Sequence, residues 1–377
     1  MIQNQKFMLQ VEGWRGISHS YALVNQFQLL HWHKSDEVAV KHIDVPFLMA
    51  HWSASTNSAG FNSQDLEIIN GTNEFEPNGI YKIYAPFELK AHEHLPTLTF
   101  GVTEFGFSNN AFTQEAVTRY KNDGGKIHTP SNWSKSRMVA NGIDESMVYV
   151  IPHAADSNYF HPLPQSTLEE QRKVLGYKQD DVVLLNVGSH LWNKGLDVLI
   201  KAFSVARKTN KNLKLLLKDQ RSTYLMSSDD FVKNTLAEVN DLEALNDGSI
   251  NILMGHLNLS QLNAAYNVAD YYLTPYRAEG FNLPALEAAA AGTSVIATAG
   301  GATDDFLVDA CHLKVQGRFI ENALLKDDLP INAYVEPDLD HLITLLTNCS
   351  RKVGSVLPAR LASWDDVSAS LVDVLKL

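Results

Sequence analysis

The sequence predicts an α/β chain of two Rossmann-like domains facing each other across a cleft. Three observations carry this. Short apolar runs alternate with helical patterns along most of the chain, the pattern of parallel sheets covered on both faces. The alternation comes in two series, separated at residues 150–165 by "VIPHAADSNYFHPLPQ", which has three prolines and no periodicity. At 377 residues the chain is long enough for two domains of ordinary size, and typical domain sizes disfavour the alternative of one large α/β domain.

The first series opens with a strand at residues 7–11, closed by Glu12-Gly13-Trp14-Arg15-Gly16. Ser18 fits the N-cap of a helix running to about His31. Apolar runs return at 80–85, 97–102 and 148–151, with helical patterns at 113–121 and 135–141 between them. The second series begins with "VVLLNV" at 182–187, followed by a helix over 195–208. Strands follow at 213–217, 250–253, 271–273 and 294–297. The last stretch, "ASWDDVSASLVDVLKL", places Trp364, Val367, Leu371, Val374 and Leu375 at helical spacing. These limits give a first domain at 1–152, a second at 153–359 and a closing helix at 360–377.

Composition bounds the function. The chain is 45% hydrophobic and 20% charged, an ordinary globular balance. Its 31 basic against 43 acidic residues give a net charge of −12, which argues against a nucleic-acid partner. An anionic small substrate stays open, because local cations and helix N-termini bind phosphate within an acidic protein. Cys311 and Cys349 are too few for a disulfide framework. The start, "MIQNQKFMLQVEG", lacks a charged-then-apolar leader, and no stretch of about 18 apolar residues occurs. A cytoplasmic protein with reduced thiols and no membrane span is expected. Triplets of the form Asn-X-Ser/Thr at Asn70, Asn132, Asn258 and Asn348 are then chance.

The most informative stretch is "YRAEGFNLPALEAAAAG", residues 276–292. It follows a strand that Pro275 ends. Gly280 supplies a turn suited to positive φ, Asn282 can cap the next helix, and Pro284 fits its first turn. Gly292 sits where a left-handed C-terminal residue is wanted. Backbone N–H groups of Gly280, Phe281, Asn282 and Leu283 can converge on one spot, and the helix dipole adds positive potential there, which suits a nucleotide diphosphate. Glu287, one turn in, can reach a ribose diol; Glu279 precedes the loop, on the side where a transferred sugar would lie. Either acid alone is better explained as a surface or first-turn acid; the pair with its loop reverses that.

Glu279-x7-Glu287 within "EGFNLPALEAAAAGTSVIAT" resembles the signature of retaining glycosyltransferases of the GT-B fold, family GT4. "NVGSHLWNKGLDVLIKAF", "TPSNWSKSRMVANGID", "VYVIPHAADSNYFHP" and "GGATDDFL" resemble further segments of that family, so the likeness runs from about Thr129 to Leu307. It implies transfer of a sugar from a nucleotide-diphosphate donor to an acceptor hydroxyl, with no metal or other cofactor. The first domain would take the acceptor, a glycan, a lipid-linked sugar or a protein, with peripheral membrane contact left open. The second would bind the donor, and the closing helix would pack back on the first domain. Lys194 would contact the diphosphate. The family's arginine after the glycine of that segment is replaced here by Ser189, beside Gly188, so Arg277 or Lys218 could supply the missing charge. In the first domain Gly13 and Gly16 fit the family's glycine-rich turn, and Glu104 stands where the family tends to carry a catalytic histidine, with His92 and His94 as alternatives nearby. Asp338 and Asp340 imitate a metal-binding pair, but capping of a helix explains them better. Two other classes stay in view. A non-catalytic nucleotide-sugar-binding or scaffold protein is favoured by Ser189. A dinucleotide oxidoreductase would need a G-x-G-x-x-G, which neither "EGWRG" nor "NVGSH" provides.

Overall fold

The computed structural model describes residues 6–54, 59–105, 112–219, 225, 227–307, 312–324, 330–352, 354–355 and 361–377; Cys311 lies outside them. The chain divides into two compact units: Met1–Asp156 with Leu324–Asn332 and Ala362–Leu377, and Ser157–Ala323 with Ala333–Leu361.

The first unit holds a six-stranded sheet made of β1 (Phe7–Gly13), β2 (Val38–Asp44), β3 (Gly79–Ile83), β4 (Thr97–Phe100), β5 (Gly125–Thr129) and β6 (Val148–Val150), in the order β2-β1-β3-β4-β5-β6. Every pairing in it is parallel. Its helices are α1 (Ser20–Lys34), α2 (Ser63–Ile69), α3 (Gln114–Asn122), α4 (Asn132–Ala140) and, from the end of the chain, α11 (Trp364–Lys376). The cap of α1 is His19 rather than Ser18: the ring Nδ1 accepts the Tyr21 N–H, and Trp14 and Trp52 pack against the imidazole at 5.5 and 5.0 Å. Trp364, Val367, Leu371, Val374 and Leu375 form the buried face of α11. Trp364 stacks on Phe27 of α1 at 5.4 Å, and the Trp32 indole donates to the Ser368 carbonyl.

The second unit repeats the plan with β7 (Val182–Val187), β8 (Leu213–Lys218), β9 (Ile250–Leu253), β10 (Tyr271–Thr274), β11 (Ser294–Thr298) and β12 (Leu313–Val315), ordered β12-β11-β10-β7-β8-β9. These pairings are parallel too. Its helices are α5 (Gln165–Val174), α6 (Leu196–Thr209), α7 (Ser228–Glu238), α8 (Leu259–Val268), α9 (Leu283–Ala290) and α10 (Leu339–Thr347). A two-stranded sheet, β13 (Gly317–Leu324) and β14 (Pro330–Pro337), adds to the main one. All six residues of β7 are buried, as a continuous apolar run in a parallel sheet requires. The core joins Leu184, Leu199, Phe203, Leu215, Leu273 and Leu342, each fully buried. Each such side chain contributes roughly 1.5–3 kcal/mol.

In each sheet the strand order reverses once, between β1 and β3 in the first unit and between β7 and β10 in the second. Ligands of open α/β sheets bind beyond the carboxyl ends of the strands at such a point. The glycine turn after β1 and the loops after β7 and β10 therefore stand where the topology favours binding. Among the described residues no helix is long and apolar enough to cross a membrane.

One ion-pair triad ties α11 to the rest of the first unit. His31 of α1 lies 2.6 Å by Nδ1 from Asp365 and 3.4 Å by Nε2 from Asp156. Burial opposes a charged His31, but the two carboxylates outweigh it, and its pKa stands above the ordinary 6.5. A pKa raised in the folded state contributes stability that is complete below the unfolded value and lost as pH rises through the folded one. The stability difference between wild type and His31→Gln should therefore be largest below about pH 6 and shrink steadily on the alkaline side. Thermal unfolding across that range checks it; a difference independent of pH would mean that the triad's charge contributes nothing.

Candidate functional site

The second unit's site is built by two loops at the switch point. After β7 the chain runs through Gly188, Ser189 and His190 into a 3₁₀ turn, Trp192–Lys194. Gly195 closes that turn with φ at 69°. After β10 it runs from Pro275 to Asn282, the N-cap of α9. The two loops touch backbone to backbone: a Cβ on Gly195 would lie 1.9 Å from the Pro275 carbonyl oxygen. Around that contact the Asn193 carbonyl accepts the N–H of Arg277 at 2.7 Å and of Ala278 at 3.3 Å, while the Asn193 amide donates to the Ala278 carbonyl at 3.1 Å.

This stitching brings two of the expected residues together. The Lys194 ammonium sits 2.9 Å from Glu279 Oε2, with the two side chains 24% and 12% exposed. Tyr272 of β10 senses both expected acids: after burial, the charges of Glu279 and Glu287 raise its pKa, and Lys194 works the other way. Glu287 is buried on α9, and its Oε2 accepts the Tyr266 hydroxyl at 2.7 Å. Burial pushes its carboxyl up to about 7, with the Tyr266 hydrogen bond opposing.

The loop's backbone differs from expectation at one point. Among its described residues the left-handed position is Asn282, at φ 77°, and not Gly280. Asparagine tolerates that region better than most residues, and here its side chain gains two bonds from it. Oδ1 accepts the Ala285 N–H at 3.2 Å, and Nδ2 donates to Thr274 Oγ1 at 3.0 Å. Phe281 packs on Phe306 at 4.9 Å, and Leu283 opens α9 with Pro284 behind it. The Tyr276 hydroxyl pairs with Thr303 Oγ1 at 2.8 Å, which anchors the "GGATDDFL" segment beside the loop.

Arg277 does not stand ready for a phosphate. Its guanidinium forks onto Asp197 through two 2.8 Å bonds, reaches Glu336 at 2.8 Å and the Trp192 carbonyl at 2.9 Å, and lies over the Trp192 ring. Burial would raise the Asp197 pKa; the Arg277 hydrogen bonds and charge prevail and hold it low. The arginine is a clamp between the two loops and β14. Lys218, at the end of β8, belongs to a different group. It is buried, donates to the Asp219 carbonyl, and loses basicity to burial, with the Asp219 charge opposing. Asp219 accepts the Ser228 hydroxyl at 2.7 Å, and Lys218 is one of the causes that depress His256, after burial.

The glycines differ in why they are there. Gly195 is required by packing. At Gly188 a Cβ would meet only Asn186 Oδ1, at 3.9 Å, so packing leaves that position open. In the first unit Gly16 has φ 79° and donates its N–H to Gln26 Oε1; it lines a cavity of about 630 Å³ with Arg15 and Asp44. The Glu104 carbonyl accepts the Trp133 indole N–H at 2.8 Å, and the charge of Glu104 adds to burial in raising the Tyr21 pKa. His92 and His94 share a loop, the His94 N–H donating to His92 Nδ1. Asp338 caps α10 through the His341 N–H. Among the described residues no three His, Cys, Asp or Glu side chains are grouped to hold a metal ion.

Sequence reasoning did not pick out Tyr266, Asn193, Asp197 or Tyr276. Each acts across a distance in sequence that no spacing rule reads: 21 residues from Tyr266 to Glu287, 80 from Asp197 to Arg277.

Comparison with known proteins agrees with this geometry. Residues 168–327 match the family model for glycosyl transferases group 1. A lipopolysaccharide 1,2-N-acetylglucosaminetransferase from Salmonella typhimurium is 28% identical over 203 residues, 53% of this chain and 50% of that protein. Across the curated relatives that match, the aligned stretch spans from about a third to about half of the relative's length. Among solved structures, a glycosyltransferase from Rickettsia africae has a TM-score of 0.60 at 15% identity, covering 99% of this chain and 94% of its own. Anabaena HepE in complex with UDP and glucose has a TM-score of 0.55 at 13% identity, covering 83% and 86%. These likenesses place the two six-stranded units in the GT-B fold.

The two glycines make a paired prediction. Gly195→Ala forces a methyl group into the Pro275 carbonyl and should cost about 3 kcal/mol or more, a severe overpacking. Gly188→Ala should leave stability within about 0.5 kcal/mol of wild type. Chemical denaturation of the three proteins checks both, and equal losses would contradict the distinction.

Proposed function

We propose that the protein is a glycosyltransferase that moves a sugar from a nucleoside-diphosphate donor to an acceptor hydroxyl with retention of anomeric configuration, in the synthesis of a glycan or glycoconjugate. The observation that carries this is the Lys194–Glu279 ion pair at the carboxyl ends of β7 and β10, directly before the N-terminus of α9. On this reading the donor diphosphate lies between Lys194 and that N-terminus, where the cation and the helix dipole meet its charge. Glu287 takes the ribose diol, and Glu279 takes hydroxyls of the sugar.

The reaction breaks the bond from the anomeric carbon to the diphosphate oxygen and forms one from that carbon to the acceptor oxygen on the same face. Positive charge develops on the sugar and negative charge on the leaving diphosphate. Lys194 and the loop stabilise the latter electrostatically, and this needs no metal. The acceptor's proton goes to an oxygen of the leaving diphosphate, so no side chain is assigned as general base. Glu279 orients the donor for the step. HepE was solved with UDP and glucose, which makes UDP-glucose a sensible first donor here, alongside GDP- and dTDP-linked sugars.

The decisive variant is Glu279→Ala. Affinity for the bare nucleoside diphosphate should stay within about fivefold of wild type, since a partly exposed ion pair contributes at most about 1 kcal/mol. Turnover of the nucleotide sugar, including slow hydrolysis to water, should fall by at least about a hundredfold, as for a lost positioning contact. Calorimetry and a donor-cleavage assay on one preparation measure both. Nucleotide-sugar binding with no turnover in the wild type, whatever acceptor is supplied, would instead favour a non-catalytic binding protein.

A further inference from the structure

Glu287 is a carboxylate in an unusual place. Its neighbours on α9 are alanines and leucines, the residue is 4% exposed, and its described partner is a phenol rather than a cation. A buried carboxylate without a countercharge tends to take up a proton. Among the described residues, α8, β10 and β11 bring no cation to it, and Lys194, whose charge reaches Tyr272 from the loop after β7, is paired with Glu279. From α8 it faces Tyr266, the helix's one titratable side chain. From β10 it faces Tyr272, whose hydroxyl donates to the Val187 carbonyl at 3.1 Å, while Tyr271 next to it turns away to the Ser350 carbonyl. The adjacent strand β11, "SVIAT", carries nothing that titrates.

Tyr266 is built to hold its hydroxyl still. Its ring is fully buried, edge-on to Phe160 at 6.1 Å and to Tyr272 at 5.8 Å. Its backbone carbonyl accepts the Thr293 hydroxyl at 2.7 Å. A phenylalanine would fill the same volume; what the tyrosine adds is one donor aimed at Glu287 Oε2. The other oxygen, Oε1, makes no hydrogen bond among the described residues.

We propose that Tyr266 is a positioning residue for the donor nucleotide: its hydroxyl holds Glu287 as an oriented, ionised acceptor for the ribose diol, and in doing so ties donor affinity to pH. The proposal rests on the reading of Glu287 as the ribose-side acid. Ionised Glu287 offers Oε1 with all its lone pairs to the two sugar hydroxyls, both of which can donate. Protonated Glu287 has become a donor itself and loses that match. The Tyr266 hydrogen bond favours the ionised form against burial, which keeps the titration near neutrality rather than well above it.

Two measurements on the full chain test this, with wild type, Tyr266→Phe and Glu287→Gln compared after confirming that each unfolds cooperatively. The first needs no ligand. Infrared difference spectra against pH should show a carboxylic-acid band, absent from Glu287→Gln, that disappears near neutral pH in wild type; in Tyr266→Phe its midpoint should move up by about one unit. The second follows binding of UDP-glucose, GDP-mannose and dTDP-glucose by calorimetry, using whichever binds wild type most tightly. Tyr266→Phe should bind about fivefold more weakly near pH 7 and recover by about pH 9, while Glu287→Gln stays weak throughout. A Tyr266→Phe deficit that is the same at every pH, or an unmoved band, overturns the proposal and leaves Tyr266 as packing. If Glu287→Gln binds like wild type, or if no nucleotide sugar binds at all, the ribose reading beneath it fails, whatever the band does.

Discussion

The approach of Gly195 to the Pro275 carbonyl is the constraint on which the second unit's site depends. It joins the loop after β7 to the loop after β10, the two strands that flank the reversal of strand order. With a side chain at 195 the loops would have to part, and the hydrogen bonds from Arg277 and Ala278 to Asn193 would go with them. Lys194 and Glu279, 85 residues apart in sequence, meet because of this seam. The causal order matters. A partly exposed lysine–glutamate pair contributes at most about 1 kcal/mol, far too little to position two loops. The backbone seam, with Arg277 clamping Asp197, Glu336 and the Trp192 carbonyl across it, holds the pair, and not the reverse.

The two acids on either side of the loop are given different surroundings by the same short segment. Glu279 lies against an ammonium and is partly open to water. Glu287, one turn inside α9, is buried, and its hydrogen-bond partner among the described residues is the Tyr266 phenol. Tyr272 lies within electrostatic reach of both, so the difference arises over a small distance. The local backbone sets it: Asn282, left-handed at the N-cap, turns the chain sharply enough that Glu279 precedes the helix while Glu287 points into the packing between α8 and α9. The carboxylate spacing visible in the sequence therefore encodes one charged contact and one acid that titrates near neutrality.

Much of this was legible in the sequence, and what was not has physical causes. The two series of strands, the connector and the loop into α9 were readable because central parallel strands are continuous apolar runs. β2 and β5 were not. β2 is an edge strand, and "VAVKHID" carries Lys41, His42 and Asp44, as an edge allows. β5 is five residues long and buries His128, which reads as a polar interruption. Its imidazole is instead paired with the Tyr81 hydroxyl at 2.9 Å and the Ile151 carbonyl at 2.8 Å. The cap of α1 was misplaced by one residue because a histidine ring accepted the bond that a serine would ordinarily take. Arg277 looked available for phosphate because its partners, Asp197 and Glu336, are 80 and 59 residues away. The residues brought together by the seam itself, Asn193 and Tyr276 among them, leave no trace in any local pattern.

The same device recurs in the first unit, and the recurrence separates two kinds of glycine. A Cβ on Gly13, the last residue of β1, would lie 2.7 Å from Ile83 Cγ2 and 2.8 Å from the Ile83 carbonyl, at the end of β3. β1 and β3 flank that sheet's reversal, as β7 and β10 flank the other's. In both units, then, a glycine lets the chain leaving one strand press against the end of its neighbour across the switch point. Gly13 and Gly195 are explained by that packing. Gly188 is not: its φ is ordinary, and a methyl group there would touch almost nothing. It stands at the carboxyl end of a central strand, on the loop that carries Lys194, where packing itself does not require a glycine. On the proposed reading, the missing side chain would let the donor come close to that backbone.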